Sequence, residues 1–415
     1  MISEQQIRRM QINETLFREG QQALNPKYKD RGVVFSRNEQ LGYAERIARA
    51  GVHYIEIGAP VRSPYGLETA KQLVELTRST PNTQIAVHGR ATTEDIDAFL
   101  ATGATRLHLF RGTSNENRNG NGNISIEQII TDTIRAIEYA RSKRDGLFIR
   151  FGAEDAFRTP IEDLEKVIIA LAPYVDLFSL PDTTGRAIPS PELKLEIQQL
   201  SVYEIVEYIR ELSGRGIQFH GHNDSGLALP NYLAALAAGA EVFDTSVYHL
   251  GERNGIPSAK DLILALRTKN NAQLIKLLYN LDELHRLDQD VAAKFGQELP
   301  PNDLYGQNVT TDTSGVHAAA TLNHHLAYDA NGYDRERQII FASAVTGKAA
   351  VAYRASQLGI IPPAADIRQN AELKNRVMER ALEAAMRIQE TAKIQGDISP
   401  NEADEIIKVS FQGFN

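Results

Sequence analysis

The chain has 415 residues, of which 42% are hydrophobic, and its 45 Lys and Arg against 53 Asp and Glu give a formal net charge of −8. Such a composition supports a sizeable folded core and excludes the disordered and fibrous classes. The absence of cysteine excludes disulfides and thiolate chemistry. The lack of basic blocks, and of an apolar run near the roughly 20 residues of a membrane span, argues against nucleic-acid and membrane partners. We expect a cytoplasmic protein without a secretory leader.

Eight β-type runs alternate with amphipathic stretches in the first part of the chain. The runs are residues 11–17, 53–57, 84–87, 106–110, 147–151, 175–179, 217–220 and 242–245. Helical periodicity between them is clearest at residues 40–50, 93–102, 126–141 and 161–171. Eight strand–helix units in about 260 residues are typical of a (β/α)8 barrel, although a doubly wound open sheet has the same alternation. We therefore predict an α/β fold, with a (β/α)8 TIM barrel over residues 1–265.

The remainder of the chain has a helical pattern without alternating strands. Helices are predicted at residues 315–328, 346–358 and 372–395, and two more within 262–295. We interpret residues 266–415 as a mostly helical C-terminal subdomain, with no regulatory domain. The polar, glycine-containing segment 115–123 is predicted to be a mobile loop after the fourth strand.

Two histidines close the seventh run. His220 and His222 alternate along a strand, so both side chains point to the same side, and an imidazole pair suits Zn, Mn, Fe or Co. Two hydrogen-bonded histidines at a barrel rim remain the alternative. Arg18 and Glu19 follow the first run, which neighbours the seventh and eighth in a closed barrel. Glu19 would add an oxygen ligand and Arg18 would stabilise negative charge on a substrate, although the pair is also compatible with a simple ion pair at the rim.

Further polar residues follow the fifth and sixth runs. Glu154 is a candidate metal ligand, base or supporting carboxylate, because it ends the fifth run at the same face of the barrel. Residues 181–185, which include Thr183, offer hydroxyl donors for a carboxylate, and they are equally typical of a turn.

These motifs, in this order, resemble the acetyl-CoA-condensing enzymes of the DRE-TIM metallolyase superfamily, which include isopropylmalate, citramalate and homocitrate synthases. Residues 13–22 are similar to the family's first-strand signature, and residues 220–228 to its second signature. Residues 251–256 are similar to the loop after strand eight. Residues 315–318 resemble a motif of the helical subdomain that bears a catalytic histidine, and Tyr328 falls where the family often has a tyrosine.

The resemblance implies a Claisen condensation of acetyl-CoA with a 2-oxo acid, assisted by a divalent metal ion (Mg, Mn or Zn). It implies that Arg18 stabilises the alkoxide and that His317, with Glu154 nearby, removes the methyl proton. The implied residues are the metal ligands Glu19, His220 and His222; the catalytic residues Arg18, Glu154, His317 and Tyr328; and the substrate-binding residues Arg150, Gly152, Thr183 and Thr92. A homodimer that exchanges its C-terminal subdomains is also expected.

The substrate expectation comes from departures at two positions. Homocitrate synthases usually have a histidine after strand three and a serine two residues after the arginine of strand five. Here those positions are Thr92 and Gly152, while Arg150 is retained. The lost polar partners and the lost volume favour a bulky apolar or aromatic 2-oxo acid such as phenylpyruvate, in a benzylmalate-type synthase. The alternatives are 2-oxoglutarate, as in homocitrate synthase, and 2-oxoisovalerate, as in 2-isopropylmalate synthase.

Two other classes of function compete with a synthase. A 3-hydroxyacyl-CoA-type lyase shares the barrel motifs, but the branch that cleaves hydroxymethylglutaryl-CoA relies on a loop cysteine, which this chain lacks. A catalytically silent binding or regulatory homologue is the third possibility. The residues that argue against it are Arg18, Glu19, Glu154, His220, His222 and His317.

Overall fold

The computed structural model describes residues 2–61, 63–80, 82–193, 200–268, 270–323, 338–341 and 343–414. The chain divides into two compact units, Met1–Leu299 and Pro300–Asn415. In the described part of the chain, no helix has both the length and the apolar character needed to cross a bilayer.

The first unit contains eight strands and twelve α-helices among its described residues. The strands are β1 Gln11–Glu14, β2 Tyr54–Gly58, β3 Gln84–Arg90, β4 Arg106–Gly112, β5 Phe148–Glu154, β6 Leu177–Asp182, β7 Gly216–Gly221 and β8 Val242–Thr245. The helices are α1 Glu4–Arg9, α2 Arg37–Arg49, α3 Pro64–Arg78, α4 Thr93–Thr102, α5 Asn115–Gly120, α6 Ile126–Lys143, α7 Ile161–Leu171, α8 Val202–Ser213, α9 Ala228–Ala237, α10 Ala259–Leu266, α11 Ala272–Leu278 and α12 Leu281–Lys294. Short 3-10 helices lie at Gly20–Gln22, Ala156–Arg158, Pro191–Leu193 and Val247–His249.

The eight strands form a closed, all-parallel barrel in sequence order. Closure occurs between the last strand and the first, where Asn13 of β1 lies opposite Asp244 of β8. The predicted TIM barrel is therefore confirmed, and the open doubly wound sheet is excluded. In such a barrel the loops at the carboxyl ends of the strands meet at one face, which is where active sites are built.

Residues alternate along each strand between the helical layer and the barrel interior. In β7, Phe219 is fully buried on the outer side, where its ring meets that of Tyr232 in α9 edge-on at 5.1 Å. Gln218 and His220, on either side of it in sequence, point inward and both reach Asp244. The period of two therefore sends apolar side chains to the helices and polar ones to the interior.

The first unit extends further than predicted. The sequence placed the boundary at residues 265/266, whereas the structure places it between Leu299 and Pro300. The reason is that α12 packs on the barrel: Glu283 accepts a hydrogen bond from Arg46 of α2 at 2.5 Å, and Asn280 N–H donates to the Ala50 carbonyl at 3.0 Å.

Two local predictions need correction. Residues 115–123 were expected to be a loop, but they contain α5, which begins after Ser114, whose hydroxyl accepts a hydrogen bond from the Asn117 amide. Residues 262–295 were expected to form two helices and form three, α10 to α12. Both errors concern short helices, whose formation depends more on capping and tertiary contacts than on periodicity.

The second unit contains mainly helices among its described residues. They are α13 Gly315–Asn323, α14 Lys348–Gln357, α15 Ala364–Gln369, α16 Ala371–Gln395 and α17 Pro400–Ser410, with a 3-10 helix at Gln307–Thr310. Two short parallel strands accompany them, β9 Thr311–Asp312 and β10 Gln338–Ile339. The unit has its own apolar core, and a bidentate ion pair from Arg354 of α14 to Asp404 of α17, at 2.9 and 2.7 Å, joins two of its helices.

Candidate active site

A cavity of about 170 Å³ lies at the carboxyl ends of the barrel strands. All eight strands, or the turns directly after them, contribute to its walls or to the polar layer beneath. The lining residues are Arg18, Glu19, Gln22, His88, Phe110, Arg150, Gly152, Glu154, Ser179, Pro181, Thr183, His220, His222, Asp244 and Glu252. The sequence-predicted residues Arg18, Glu19, Arg150, Gly152, Glu154, Thr183, His220 and His222 are therefore brought together.

Glu19, His220 and His222 present one ligand atom each to a common point. The Nε2 atoms of the two histidines are 3.2 Å apart, and His222 Nε2 is 3.9 Å from Glu19 Oε1. The three ligand atoms all lie within 4.8 Å of one another. All three residues are buried, with exposures of 2 to 5%. No other group of three His, Asp or Glu side chains converges in this way among the described residues.

Neighbouring groups orient two members of this cluster, His220 and Glu19. Asp244 Oδ2 lies 3.0 Å from His220 Nδ1, which fixes the proton there and leaves the Nε2 lone pair free. Glu19 Oε1 accepts a hydrogen bond from the Glu252 amide at 2.8 Å. Burial lowers the pKa of His222 to about 3, so the ring is neutral and can offer a nitrogen lone pair to a metal ion. Burial alone would raise the pKa of Glu19, but Arg18 and the histidines hold this pKa below its usual range.

The chemistry of this set fits a divalent metal ion. Two neutral imidazole nitrogens with a carboxylate oxygen are the ligands that Zn and Mn accept. His222 Nδ1 is buried and has no partner among the described residues. The cavity lining also contains four carboxylate side chains against two guanidinium groups, and a cation would offset this excess of negative charge.

Glu56, at the centre of β2, holds the two arginines of the site. It is fully buried and accepts hydrogen bonds from Arg18 Nε at 2.8 Å and from Arg150 Nη2 at 3.0 Å. His108 Nδ1 lies 2.6 Å from the same carboxylate. Burial would raise the pKa of Glu56, but the two guanidinium groups hold it well below its usual range. Arg18 also contacts Glu19, at 2.5 Å, so this arginine is fixed beside the candidate metal ligands.

Glu154, at the end of β5, and Thr183, directly after β6, also line the cavity. Burial raises the pKa of the Glu154 carboxyl, which favours its protonated form and suits a proton-transfer role. Thr183 Oγ1 accepts a hydrogen bond from the Asp155 amide at 2.9 Å, which leaves the hydroxyl proton free to donate into the cavity.

The space above Gly152 differs from the sequence-based expectation. A Cβ at this position would lie 3.0 Å from Arg150 Nη1, so the arginine already occupies the volume that a side chain would fill. Gly152 therefore makes room for Arg150 rather than for a bulky substrate. Ser179 lies beside it on β6, and its buried hydroxyl has no partner among the described residues.

Thr92 does not line this cavity. It is the N-cap of α4, and its hydroxyl accepts a hydrogen bond from the Asp95 amide. The histidine that faces the cavity from β3 is His88, four residues earlier, and its ring stacks on Phe110 at 4.4 Å between centroids. Thr92 lies two residues beyond the end of β3 at Arg90, whereas His88 lies within the strand.

The two remaining predicted residues lie in the C-terminal part of the chain. His317 is on α13 of the second unit, where its Nδ1 is 3.6 Å from Asp312 Oδ1. Tyr328 lies outside the described residues.

Sequence reasoning missed the polar residues deeper in the barrel. The missed residues are Glu56, His88, His108, Ser179 and Asp244. Their signal was present, because a charged residue inside an apolar parallel strand, such as Glu56 in residues 54–57, needs a buried partner. Which partner it has is not visible in the sequence.

Comparisons with known proteins found a family profile, sequence relatives and solved structures that this chain resembles. The profile of the HMGL-like family matches residues 9–291. Homocitrate synthase, mitochondrial, from Penicillium rubens is 31% identical over 357 residues, which cover 85% of this chain and 70% of the relative. 2-Isopropylmalate synthase 1 from Caldanaerobacter subterraneus subsp. tengcongensis is 30% identical over 333 residues, 78% of each chain. The solved structure of HMG-CoA lyase from Bacillus subtilis superposes with a TM-score of 0.55 at 22% identity. It covers 71% of this chain and 96% of that one, which shows a shared fold.

Proposed function

The chain belongs to the HMGL-like family, and from that premise we propose that it is an acyltransferase that condenses acetyl-CoA with a 2-oxo acid. The products are a 2-substituted malate and CoA. The observation that carries the proposal is the convergence of Glu19, His220 and His222 beside the fixed guanidinium of Arg18. Relatives named homocitrate synthase and 2-isopropylmalate synthase support the same class of reaction.

Glu19, His220 and His222 would hold the divalent cation, for which Mn, Zn and Mg are the candidates. When bound, the cation supplies Lewis-acid polarisation of the substrate's keto group. Asp244 contributes by keeping His220 in the tautomer that presents Nε2.

Arg18 and Thr183 act on the 2-oxo acid. Arg18 carries a positive charge fixed by Glu56, so it stabilises the alkoxide that develops at the keto oxygen without having to reorient. The Thr183 hydroxyl donates a hydrogen bond to the substrate's C1 carboxylate.

Proton transfer needs a base for the methyl group of acetyl-CoA. We assign this role to His317, whose Nδ1 lies 3.6 Å from Asp312 Oδ1, with Glu154 as the acid–base partner in the barrel. The base removes the methyl proton, the enolate carbon bonds to the keto carbon, and water then cleaves the thioester to release CoA. Tyr328 is assigned to the same catalytic group on the resemblance of the sequence.

The acceptor that we favour is an aromatic 2-oxo acid such as phenylpyruvate. The Phe110–His88 stack and Pro181 provide flat and apolar walls, and the charge of Arg150 is already paired with Glu56. The unpartnered Ser179 hydroxyl and Arg150 Nε support 2-oxoglutarate as the alternative, and 2-oxoisovalerate ranks third.

A second cavity, of about 100 Å³, supports coenzyme A as the other substrate. It shares Phe110 and Glu154 with the first cavity and is also lined by Arg90, Arg111 and Arg118. Arg90 and Arg118 are paired with carboxylates, whereas Arg111 Nε has no partner among the described residues. The Arg111 guanidinium is therefore suited to a phosphate of coenzyme A.

The proposal is tested by release of free CoA with acetyl-CoA and a panel of 2-oxo acids. Phenylpyruvate, 2-oxoglutarate, 2-oxoisovalerate and pyruvate would each be assayed by thiol titration, with and without a chelator. A chelator-sensitive signal with phenylpyruvate is expected. A signal with 2-oxoglutarate alone would support the class and overturn the aromatic acceptor, and no CoA release from metal-loaded protein would overturn the class.

A further inference from the structure

The loop that follows β8, residues 246–257 and here called the β8 loop, contains three non-glycine residues in the left-handed backbone region. The φ angles are 57° at Tyr248, 57° at His249 and 56° at Arg253. Non-glycine residues keep such angles only where surrounding contacts determine them, and they concentrate at functional sites. At Gly255 a Cβ would lie 1.8 Å from the His249 carbonyl oxygen, so the loop folds tightly back on itself. The conformation of the β8 loop therefore depends on the contacts that the loop makes with its neighbours.

The inner side of the β8 loop contacts the candidate metal ligands. The Glu252 amide donates to Glu19 Oε1 at 2.8 Å. The backbone approaches this closely because Gly251 has no side chain: a Cβ there would lie 3.0 Å from the same oxygen. The Asn223 amide, directly after His222, donates to the Gly255 carbonyl at 2.9 Å. The loop is thus bonded to both segments that carry the ligands.

The outer side of the β8 loop is held by buried charges. The Tyr248 amide donates to Asp288 Oδ1 of α12 at 2.7 Å. Asp288 Oδ2 lies 3.1 Å from Lys260 Nζ of α10, and these two residues are only 2% and 1% exposed. At the next residue, His249 Nε2 lies 3.1 Å from Asp261 Oδ2. Each of the first two left-handed residues therefore has its own carboxylate.

Buried charges are retained only where they are paired, and this pair lies outside the cavity. We propose that Asp288, paired with Lys260, is a positioning residue for the candidate metal site: it fixes the β8 loop at Tyr248, so that the Glu252 amide holds the Glu19 carboxylate in its ligating orientation. The inference rests on the proposed function, because it takes Glu19 as a metal ligand.

Two double variants separate the hydrogen bond from the ion pair. Both K260M/D288N and K260M/D288L remove the two charges together, but only the asparagine keeps an oxygen for the Tyr248 amide. Loss of an outer contact typically weakens metal binding by about 10- to 100-fold. We expect K260M/D288L to bind Mn²⁺ about tenfold more weakly than the wild type, and K260M/D288N to stay within about threefold.

A second readout needs no metal. In the metal-free protein, hydrogen exchange at the Glu252 amide should be faster by about tenfold in K260M/D288L and little changed in K260M/D288N. The control is Asp290→Asn, which changes an exposed carboxylate on the same helix that pairs with Arg46. Folded K260M/D288L with wild-type Mn²⁺ affinity and wild-type exchange would overturn the proposal.

The two proposals fail in distinguishable ways. If the wild type binds no Mn²⁺, the metal assignment of the proposed function fails, and the exchange comparison alone decides the role of Asp288. If K260M/D288L does not fold, hydrogen exchange in the metal-free wild type tests the role of Asp288 instead. If a single opening event releases the whole β8 loop, the protection factors of the Tyr248 and Glu252 amides should lie within about threefold of each other. Protection factors that differ by more than about tenfold would contradict the coupling of these two amides.

Discussion

At the scale of single residues, the site combines a cluster of ligand atoms with a fixed positive charge. Glu19, His220 and His222 converge within 4.8 Å, and Arg18 lies against Glu19. Two of these side chains are held by residues that are themselves buried: Asp244 lies against His220, and Glu56 accepts a hydrogen bond from Arg18. A site built in this way loses function when one member is removed, because the others cannot move to replace it.

His222→Ala tests the ligand set. Removing one of two imidazole ligands is expected to lower Mn²⁺ affinity by at least about 100-fold and to abolish metal-dependent CoA release. Metal affinity is measured by calorimetry on the chelator-treated protein. His285→Ala, a histidine on α12 that does not line the cavity, serves as the control. Metal-dependent activity retained in His222→Ala would refute the assignment.

Arg111→Ala tests the coenzyme A cavity. Removing the guanidinium that has no carboxylate partner should raise KM for acetyl-CoA about tenfold or more, because a charge-assisted contact to phosphate contributes on the order of 1.5–3 kcal/mol. KM for the 2-oxo acid should change little. The matched variant is Arg78→Ala, an exposed arginine on α3 paired with Glu75. Equal effects on both KM values would indicate general damage to the site and contradict the assignment.

At the scale of elements, a buried carboxyl links the first and last strands, which pair with each other to close the barrel. Glu14 of β1 accepts hydrogen bonds from Thr245 Oγ1 of β8 at 2.8 Å and from the Val247 amide at 2.9 Å. The residue is 1% exposed, and burial raises the pKa of its carboxyl to about 8 despite these hydrogen bonds. The folded state therefore binds the proton of Glu14 more tightly than the unfolded chain does.

This shift predicts a dependence of stability on pH. The raised pKa of Glu14 makes its full contribution to the free energy of unfolding below the pKa in the unfolded chain, near 4.5. This contribution is lost as pH rises towards about 8, with a slope of up to about 1.4 kcal/mol per pH unit. Glu14→Gln mimics the protonated form and should remove this component. Urea unfolding of both proteins at pH 5, 6.5 and 8 measures it: the wild type should lose free energy of unfolding relative to the variant as pH rises. Parallel curves would contradict a raised pKa.

At the scale of the whole molecule, the candidate base and the candidate metal ligands belong to different units. His317 lies in the second unit and the ligands in the barrel. We propose a homodimer in which the second unit of one subunit supplies His317 to the barrel of the other.

Subunit mixing tests this arrangement. His317→Ala and His222→Ala should each be inactive alone. A heterodimer of the two would contain one intact site if His317 acts across the dimer, so an equal mixture should recover about a quarter of wild-type activity after subunit exchange. Light scattering establishes the oligomeric state in parallel. A dimer that exchanges subunits and recovers no activity would place His317 and the ligands of each site in the same chain.

The sequence by itself determined the architecture and much of the site. Eight β-type runs, separated by helical stretches, predicted the closed barrel that the structure shows. The residues at the strand ends include Glu19, Glu154, His220 and His222, which line one cavity. The prediction of the barrel was confirmed, whereas the roles of these four residues stay predictions. The strand ends could be located because the signals are local: strand–helix alternation and the spacing of a motif are set within short stretches of sequence.

Only the tertiary structure decided which distant residues meet. Glu56 holds Arg18 and Arg150 across 38 and 94 residues of sequence, Arg150 fills the space above Gly152, and His88 rather than Thr92 faces the cavity. The sequence also did not reveal that the barrel unit extends to Leu299, or that Asp288 contacts the β8 loop. Such contacts depend on barrel closure and helix packing, which bring together side chains whose positions no local pattern encodes.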